Sequence, residues 1–248
     1  MDKKRVRLVV AYDGTNYCGW QLQPGVVTIE SELNRCLTDL LGESIQVIGA
    51  SRTDSGVHAM GNVAVFDTVA RMPAEKISYA LNQRLPEDIR IQKSEEVATD
   101  WHPRYVDSRK TYEYRIYRSE FPMPIGRHYS LFSYHSYNVD AMREAAAYLI
   151  GEHDFKSFCA VNAQVETTVR CITDLQVIED GKELIIRVTG NGFLYNMVRI
   201  IAGTLMEVGQ GKRSPQSMKE VLAAKDRQAA GPTAPAHGLM LVKYEFLQ

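Results

Sequence analysis

The densest run of chemically capable side chains is Gly49-Ala50-Ser51-Arg52-Thr53-Asp54-Ser55-Gly56-Val57-His58-Ala59. Within it Arg52, Asp54 and His58 bring a guanidinium, a carboxylate and an imidazole into one short polar segment. A positioned aspartate serves either as a nucleophile or as a general base. The same letters also spell an ordinary turn, because Asp54-Ser55-Gly56 has good turn chemistry, and spacing alone does not decide between the two. His58 follows Asp54 by four residues, but the segment is not an HExxH motif and offers no third ligand, so a metal site is not expected.

Other segments carry weaker signals. In Lys110-Thr111-Tyr112-Glu113-Tyr114-Arg115, strand alternation puts Tyr112 and Tyr114 on one face and Thr111, Glu113 and Arg115 on the other. Each tyrosine is either a core ring with a polar tip or a platform for a nucleobase. Gly190-Asn191-Gly192-Phe193-Leu194-Tyr195 lacks the third glycine and the βαβ context of a dinucleotide loop, so its glycines are assigned to a tight turn into a helix. On that helix Arg199 interrupts an apolar face formed by Phe193, Met197, Ile200, Ile201 and Leu205. It either snorkels to water or aims at a carboxylate. Cys159 with His153 has the composition of a thiol nucleophile and its base, with little else behind it. Tyr12-Asp13-Gly14 through Gly19-Trp20-Gln21, and Thr233-Ala234-Pro235-Ala236-His237-Gly238-Leu239, are structured loops at strand ends.

The elements that hold these segments follow from periodicity. Strands are expected at Arg5 to Tyr12, Ile45 to Ala50, Asn62 to Thr68 and Ile89 to Val97. A helix runs from the Thr28 cap through Ile29, Leu33 and Leu37 to Gly42, and a second runs from Pro73 to Pro86. Strand, helix, strand, strand, helix, strand is the split βαβ, or ferredoxin-like, order. It recurs with a strand at Ser108 to Arg118, a helix at Val139 to Ile150 and a hairpin of Thr168 to Glu179 with Glu183 to Thr189. Helices at Leu194 to Val208 and from Ser214-Pro215 to about Lys225 follow, then a strand at Leu239 to Phe246. The expected fold is α+β, with two ferredoxin-like (RRM-like) halves of mainly antiparallel sheet, 1–104 and 105–248, and a cleft between them. The first half carries the Asp54 loop and the second carries Tyr112 and Arg199. The loop from Ala229 to Gly238 is a surface connection.

Composition narrows the function classes. The 248 residues carry 29 Lys+Arg against 30 Asp+Glu, a net charge of -1, so a nucleic-acid partner must be met by local patches. One such patch is Trp101 to Tyr129, with six basic residues, three acidic ones and seven aromatics. The four cysteines, Cys18, Cys36, Cys159 and Cys171, show no CxxC spacing, which excludes a zinc ribbon or a thioredoxin motif. Free thiols, a charged beginning at Met1 to Arg7 and no apolar run long enough to span a bilayer point to the cytoplasm and away from a membrane.

Five segments, in order and across nearly the whole chain, closely resemble the bacterial tRNA pseudouridine synthase A family. They are Tyr12-Asp13-Gly14-Thr15 through Gly19-Trp20-Gln21, Ser51 to Ala59, Asp154-Phe155 through Ser157-Phe158, Asn191-Gly192-Phe193-Leu194 through Met197-Val198-Arg199, and Ala234 to Leu239. The resemblance implies a cofactor-free homodimeric enzyme acting on uridines 38 to 40 of the tRNA anticodon arm. It implies that Asp54 is the essential aspartate, that Arg199 pairs with it, that Tyr112 is the active-site tyrosine and that Arg52 engages the RNA. Ser55 stands where the family often has alanine, a small change.

Such residues suit the reaction. The bond from C1′ to N1 breaks, the ring turns, and C1′ bonds to C5. There is no redox change, so the chemistry requires no cofactor or metal. It requires an ionised group at the sugar or ring, and a flipped-out base, which costs a few kcal/mol of unstacking. An arginine in contact with a carboxylate keeps it charged where burial would neutralise it. Attack at C1′, addition at C6 and a glycal route all remain open. A glycosidase would need a second carboxylate beside Asp54, which the motif lacks.

Overall fold

A computed structural model describes residues 3–161 and 165–247. The chain is α+β and divides into two compact units, residues 1–107 with 241–248, and residues 108–240. No helix among the described residues is long and apolar enough to cross a membrane.

The first unit contains β1 (Lys4–Tyr12), α1 (Ile29–Leu41), β2 (Ile48–Gly49), β3 (His58–Thr68), α2 (Ala74–Asn82) and β4 (Ile89–Val97), and β10 (Leu239–Phe246) returns the chain to it. Its strands run in the order β4-β1-β3-β10, with β2 also on β3. Val6, Leu8, Val10 and Tyr12 alternate into the core, as the period of a half-buried strand requires. α1 begins at a capping box, Thr28 accepting from the Ser31 N–H and Ser31 accepting from the Thr28 N–H, and ends at Gly42 with φ 69°.

Two departures have local causes. Only Ile48–Gly49 of the expected strand from Ile45 to Ala50 joins the ladder. The Ile45 and Val47 N–H groups instead donate to the Thr38 and Asn34 side chains of α1, so these backbone donors are satisfied without a neighbouring strand. β3 starts at His58 rather than Asn62 because a bulge absorbs the irregularity, with Val10 facing Asn62 and Tyr12 facing Ala59. β3 therefore begins four residues after Asp54.

The second unit contains β5 (Ser108–Arg118), β6 (Leu131–Ser133), α3 (Val139–Ala147), β7 (Gly151–Asp154), β8 (Val169–Asp180), β9 (Glu183–Gly190), α4 (Met197–Gly209) and α5 (Ser217–Ala224). Its antiparallel order is β5-β9-β8-β7, and β6 pairs parallel to β5. β6 and β7 are too short to show alternation in the sequence. α4 begins three residues later than periodicity predicts because Asn196 adopts φ 61°, a left-handed conformation that stops the helix from extending backward. Its buried face includes Met197, Val198, Ile200, Ile201 and Leu205. The segment from Ala229 to Gly238 is packed rather than purely superficial, with Ala230, Ala234 and Gly238 buried.

Candidate active site

In the first unit, side chains of the Asp54 loop alternate. Ser51 and Thr53 are buried, while Arg52 is exposed and Asp54 is half-buried. The buried members anchor the loop. Thr53 Oγ1 lies 2.8 Å from the Tyr12 hydroxyl, and the Asn62 amide donates to the Ser51 carbonyl at 2.9 Å. Burial pushes the Tyr12 phenol up, against its bonds to Thr53 and Asn62, so it stays a neutral hydrogen-bonding group.

The loop from Tyr12 to Trp20 clamps the same backbone from the other side. The Trp20 N–H donates to the Thr53 carbonyl at 3.0 Å and the Gly56 N–H to the Tyr17 carbonyl at 3.3 Å. The close approach needs glycine at two points. A Cβ on Gly14 would lie 2.1 Å from the Val57 carbonyl oxygen, and one on Gly19, already at φ 84°, would lie 2.7 Å from that of Thr53. The tip is a genuine turn, closed by the Val57 N–H on the Asp54 carbonyl at 3.1 Å with Gly56 at φ 76°. The turn reading and the catalytic reading are therefore compatible, since the turn is what presents the carboxylate. His58 is buried, and its Nδ1 accepts from the Gly14 N–H at 3.0 Å, a bracing position.

In the second unit, β5 and β9 keep the predicted alternation. Thr111 faces Thr189 and Glu113 faces Arg187 on one side, while Tyr112 and Tyr114 occupy the other. Tyr114 is a core ring with a polar tip. It is fully buried, and its hydroxyl donates to the Pro235 carbonyl at 3.0 Å. Burial pushes its phenol up, opposed by the charge of Arg199. Tyr112 is 7% exposed and meets the Phe193 ring edge-on at 5.2 Å. Phe193 leads into α4, where half-buried Arg199 donates from Nε to the Ala234 carbonyl at 2.7 Å and from Nη1 to the Asn196 side chain at 2.8 Å.

Gly190-Asn191 forms a hairpin exit, the Asn191 side chain and N–H bridging Cys171. Cys159 is buried, and burial pushes its thiol up, away from the thiolate a nucleophile needs, while His153 is engaged with the Ile150 carbonyl. Sequence reasoning gave no supporting role to Tyr12, Thr53, Asn62 or Asn196, although the first two lie in segments it singled out. The signal for Tyr12 and Asn62 was faint, being polar-tipped residues at strand positions whose alternation points inward, and Thr53 sits in the loop, where no periodicity marks it.

The tRNA pseudouridine synthase family model matches residues 8–106 and 145–246. The chain is 45% identical over 97% of its length to tRNA pseudouridine synthase A of Acetivibrio thermocellus, spanning 98% of that protein. It is 48% identical over 96% of its length to the enzyme of the same name from Brevibacillus brevis, spanning 98% of it. With its Bacillus subtilis counterpart it shares 47% identity over 96% of its length, spanning 97% of that relative. Matches that span both units, and that include the segments carrying Asp54, Tyr112 and Arg199 except where the family model skips 107–144, place the chain in the tRNA pseudouridine synthase A family.

Proposed function

We propose that the chain isomerises uridine to pseudouridine at positions 38 to 40 of the tRNA anticodon arm, with Asp54 as its catalytic carboxylate. In this reading Asp54 acts as nucleophile or base, and Arg199 is its ion-pair partner. Tyr112 stacks on the flipped uracil, and Arg52 engages the RNA. The enzyme works in the cytoplasm as a homodimer and without a cofactor. One observation carries the reading: a half-buried carboxylate stands at a turn whose backbone is clamped by two glycine-dependent contacts. Such rigidity suits a group that must hold its position while a bond forms or breaks.

The chemistry balances without an added reactant. The C1′–N1 bond breaks, uracil turns within the site, C1′ bonds to C5, C5 gives up its proton and N1 gains one. A carboxylate kept ionised by a guanidinium would serve at the sugar or the ring. Tyr112 would hold the detached base by stacking.

The test is incubation of the purified protein with an unmodified tRNA transcript carrying uridines 38 to 40, followed by carbodiimide mapping. Stops confined to those positions are expected. Stops elsewhere would overturn the assignment of position, and the absence of any would overturn the activity.

A further inference from the structure

The turn from Trp101 to Tyr105 lies outside the residues assigned above, yet it is fixed with unusual thoroughness. Arg5 donates to the Trp101 carbonyl at 2.9 Å, and the Tyr244 hydroxyl donates to that of Pro103 at 3.3 Å. The Trp101 ring packs edge-on against Phe246 at 4.9 Å, with the Arg7 guanidinium over both rings. The Tyr105 N–H closes the turn on the His102 carbonyl, and the Arg104 N–H donates to His102 Nδ1. All this bracing supports an aromatic ring that contributes little to the core. Tyr105 is 85% exposed and lies stacked on His102 at 4.2 Å and 22°.

Arg104 reaches from the same turn to the foot of the Asp54 loop. Its Nε donates to the Gly49 carbonyl at 2.8 Å, three residues before exposed Arg52. Among the described residues neither arginine has a carboxylate within ion-pair distance. Burial first and then the like charge of Arg52 push the Arg104 guanidinium down, against the smaller pull of Glu30. Neighbouring cations with no carboxylate in contact are relieved by an anion, and the planar guanidinium favours phosphate.

We infer that Arg104 and Arg52 together hold one backbone phosphate of the RNA substrate, and that the ring of Tyr105 stacks on a neighbouring unpaired base. The inference rests on the RNA-modifying reading above and adds a subsite to it. The stacked His102 supports the Tyr105 ring from behind, as aromatic platforms for single-stranded bases require.

The test measures affinity for an unmodified tRNA transcript at several KCl concentrations, for the wild-type chain and for Arg104→Ala, Arg104→Lys and Tyr105→Ala. Arg104→Ala is expected to weaken binding about tenfold and to reduce the slope of log K against log[KCl] by about one. Arg104→Lys should restore the slope, because it restores the charge; a purely structural bond to Gly49 would not be read in the salt slope. Tyr105→Ala should weaken binding about tenfold with the slope unchanged. Unchanged affinity and slope in Arg104→Ala, or a slope that Arg104→Lys fails to restore, overturns the phosphate assignment. Unchanged affinity in Tyr105→Ala overturns the stacking assignment. Carbodiimide mapping with the wild-type chain separates these outcomes from failure of the catalytic reading, since binding and isomerisation are scored independently.

Discussion

Arg199 and Ala234 are bonded twice: the Arg199 Nε donates to the Ala234 carbonyl at 2.7 Å, and the Ala234 N–H donates to the Arg199 carbonyl at 3.1 Å. With Nη1 on Asn196, two nitrogens of the guanidinium are fixed by groups of the same unit. Arg199→Lys keeps the charge but offers one nitrogen where two now act. The single-turnover rate is expected to fall about a hundredfold with the circular dichroism spectrum unchanged. A wild-type rate would show that charge alone suffices.

The same segment leans on α4 at Gly203, where a Cβ would lie 1.9 Å from the Pro232 carbonyl oxygen. Backbone on both sides leaves nothing flexible to yield. Gly203→Ala should therefore cost about 1–3 kcal/mol in urea denaturation. It should also lower activity by shifting the Ala234 anchor of Arg199. An undiminished denaturation midpoint would mean that residues 230–235 can move away freely.

Much of this architecture was legible in the sequence because local signals agreed. β4, β5 and β10 coincide with their expected spans, and Thr28 and Gly42 bound α1 as their types predict. Illegible parts depend on partners distant in the chain. Nothing near Ile45 announces that Thr38 takes its N–H, and nothing in Met60-Gly61 announces a bulge opposite β1. For the site, Asp54 and Arg52 drew notice as members of the densest polar run, but spacing left a turn and a catalytic loop both open, and their expected roles came from the family resemblance. The role of Gly14 and Gly19 could not be read there, because it depends on the backbone of Thr53 and Val57 lying against them.

Asp54→Asn preserves shape and removes the charge. Tritium release from tRNA labelled at C5 of uridine should fall by at least about a thousandfold, while tRNA affinity changes by less than about threefold. Because the flanking clamp is backbone and buried side chains, the substitution should leave the loop standing. Readily measured release would remove Asp54 from the chemistry.

Tyr112→Phe separates two roles for the tyrosine. The ring contact with Phe193 at 5.2 Å survives, and only the hydroxyl is lost. If the hydroxyl relays a proton, the rate of C5 tritium release should fall about 10²-fold or more with affinity retained. Full activity would restrict Tyr112 to stacking.

Glu113 gives the chain an acid-sensitive contribution to stability that is independent of catalysis. Its side chain is 6% exposed and receives Arg115 at 2.8 Å and Arg187 at 2.7 Å. Burial pushes the carboxyl up, and the two guanidiniums together outweigh burial, so the folded-state value lies below the ordinary glutamate range. A depressed carboxylate stabilises the folded state fully above the unfolded pKa of about 4.3, and that stabilisation is lost as pH falls through the folded value. Glu113→Gln leaves two half-exposed arginines facing a neutral amide and should cost about 1–3 kcal/mol at pH 7. The gap between wild type and variant in urea denaturation should stay constant from pH 7 to about 5 and narrow steadily below about 4. A gap of the same size throughout that acid range would mean that Glu113 contributes through shape and hydrogen bonding rather than through its charge.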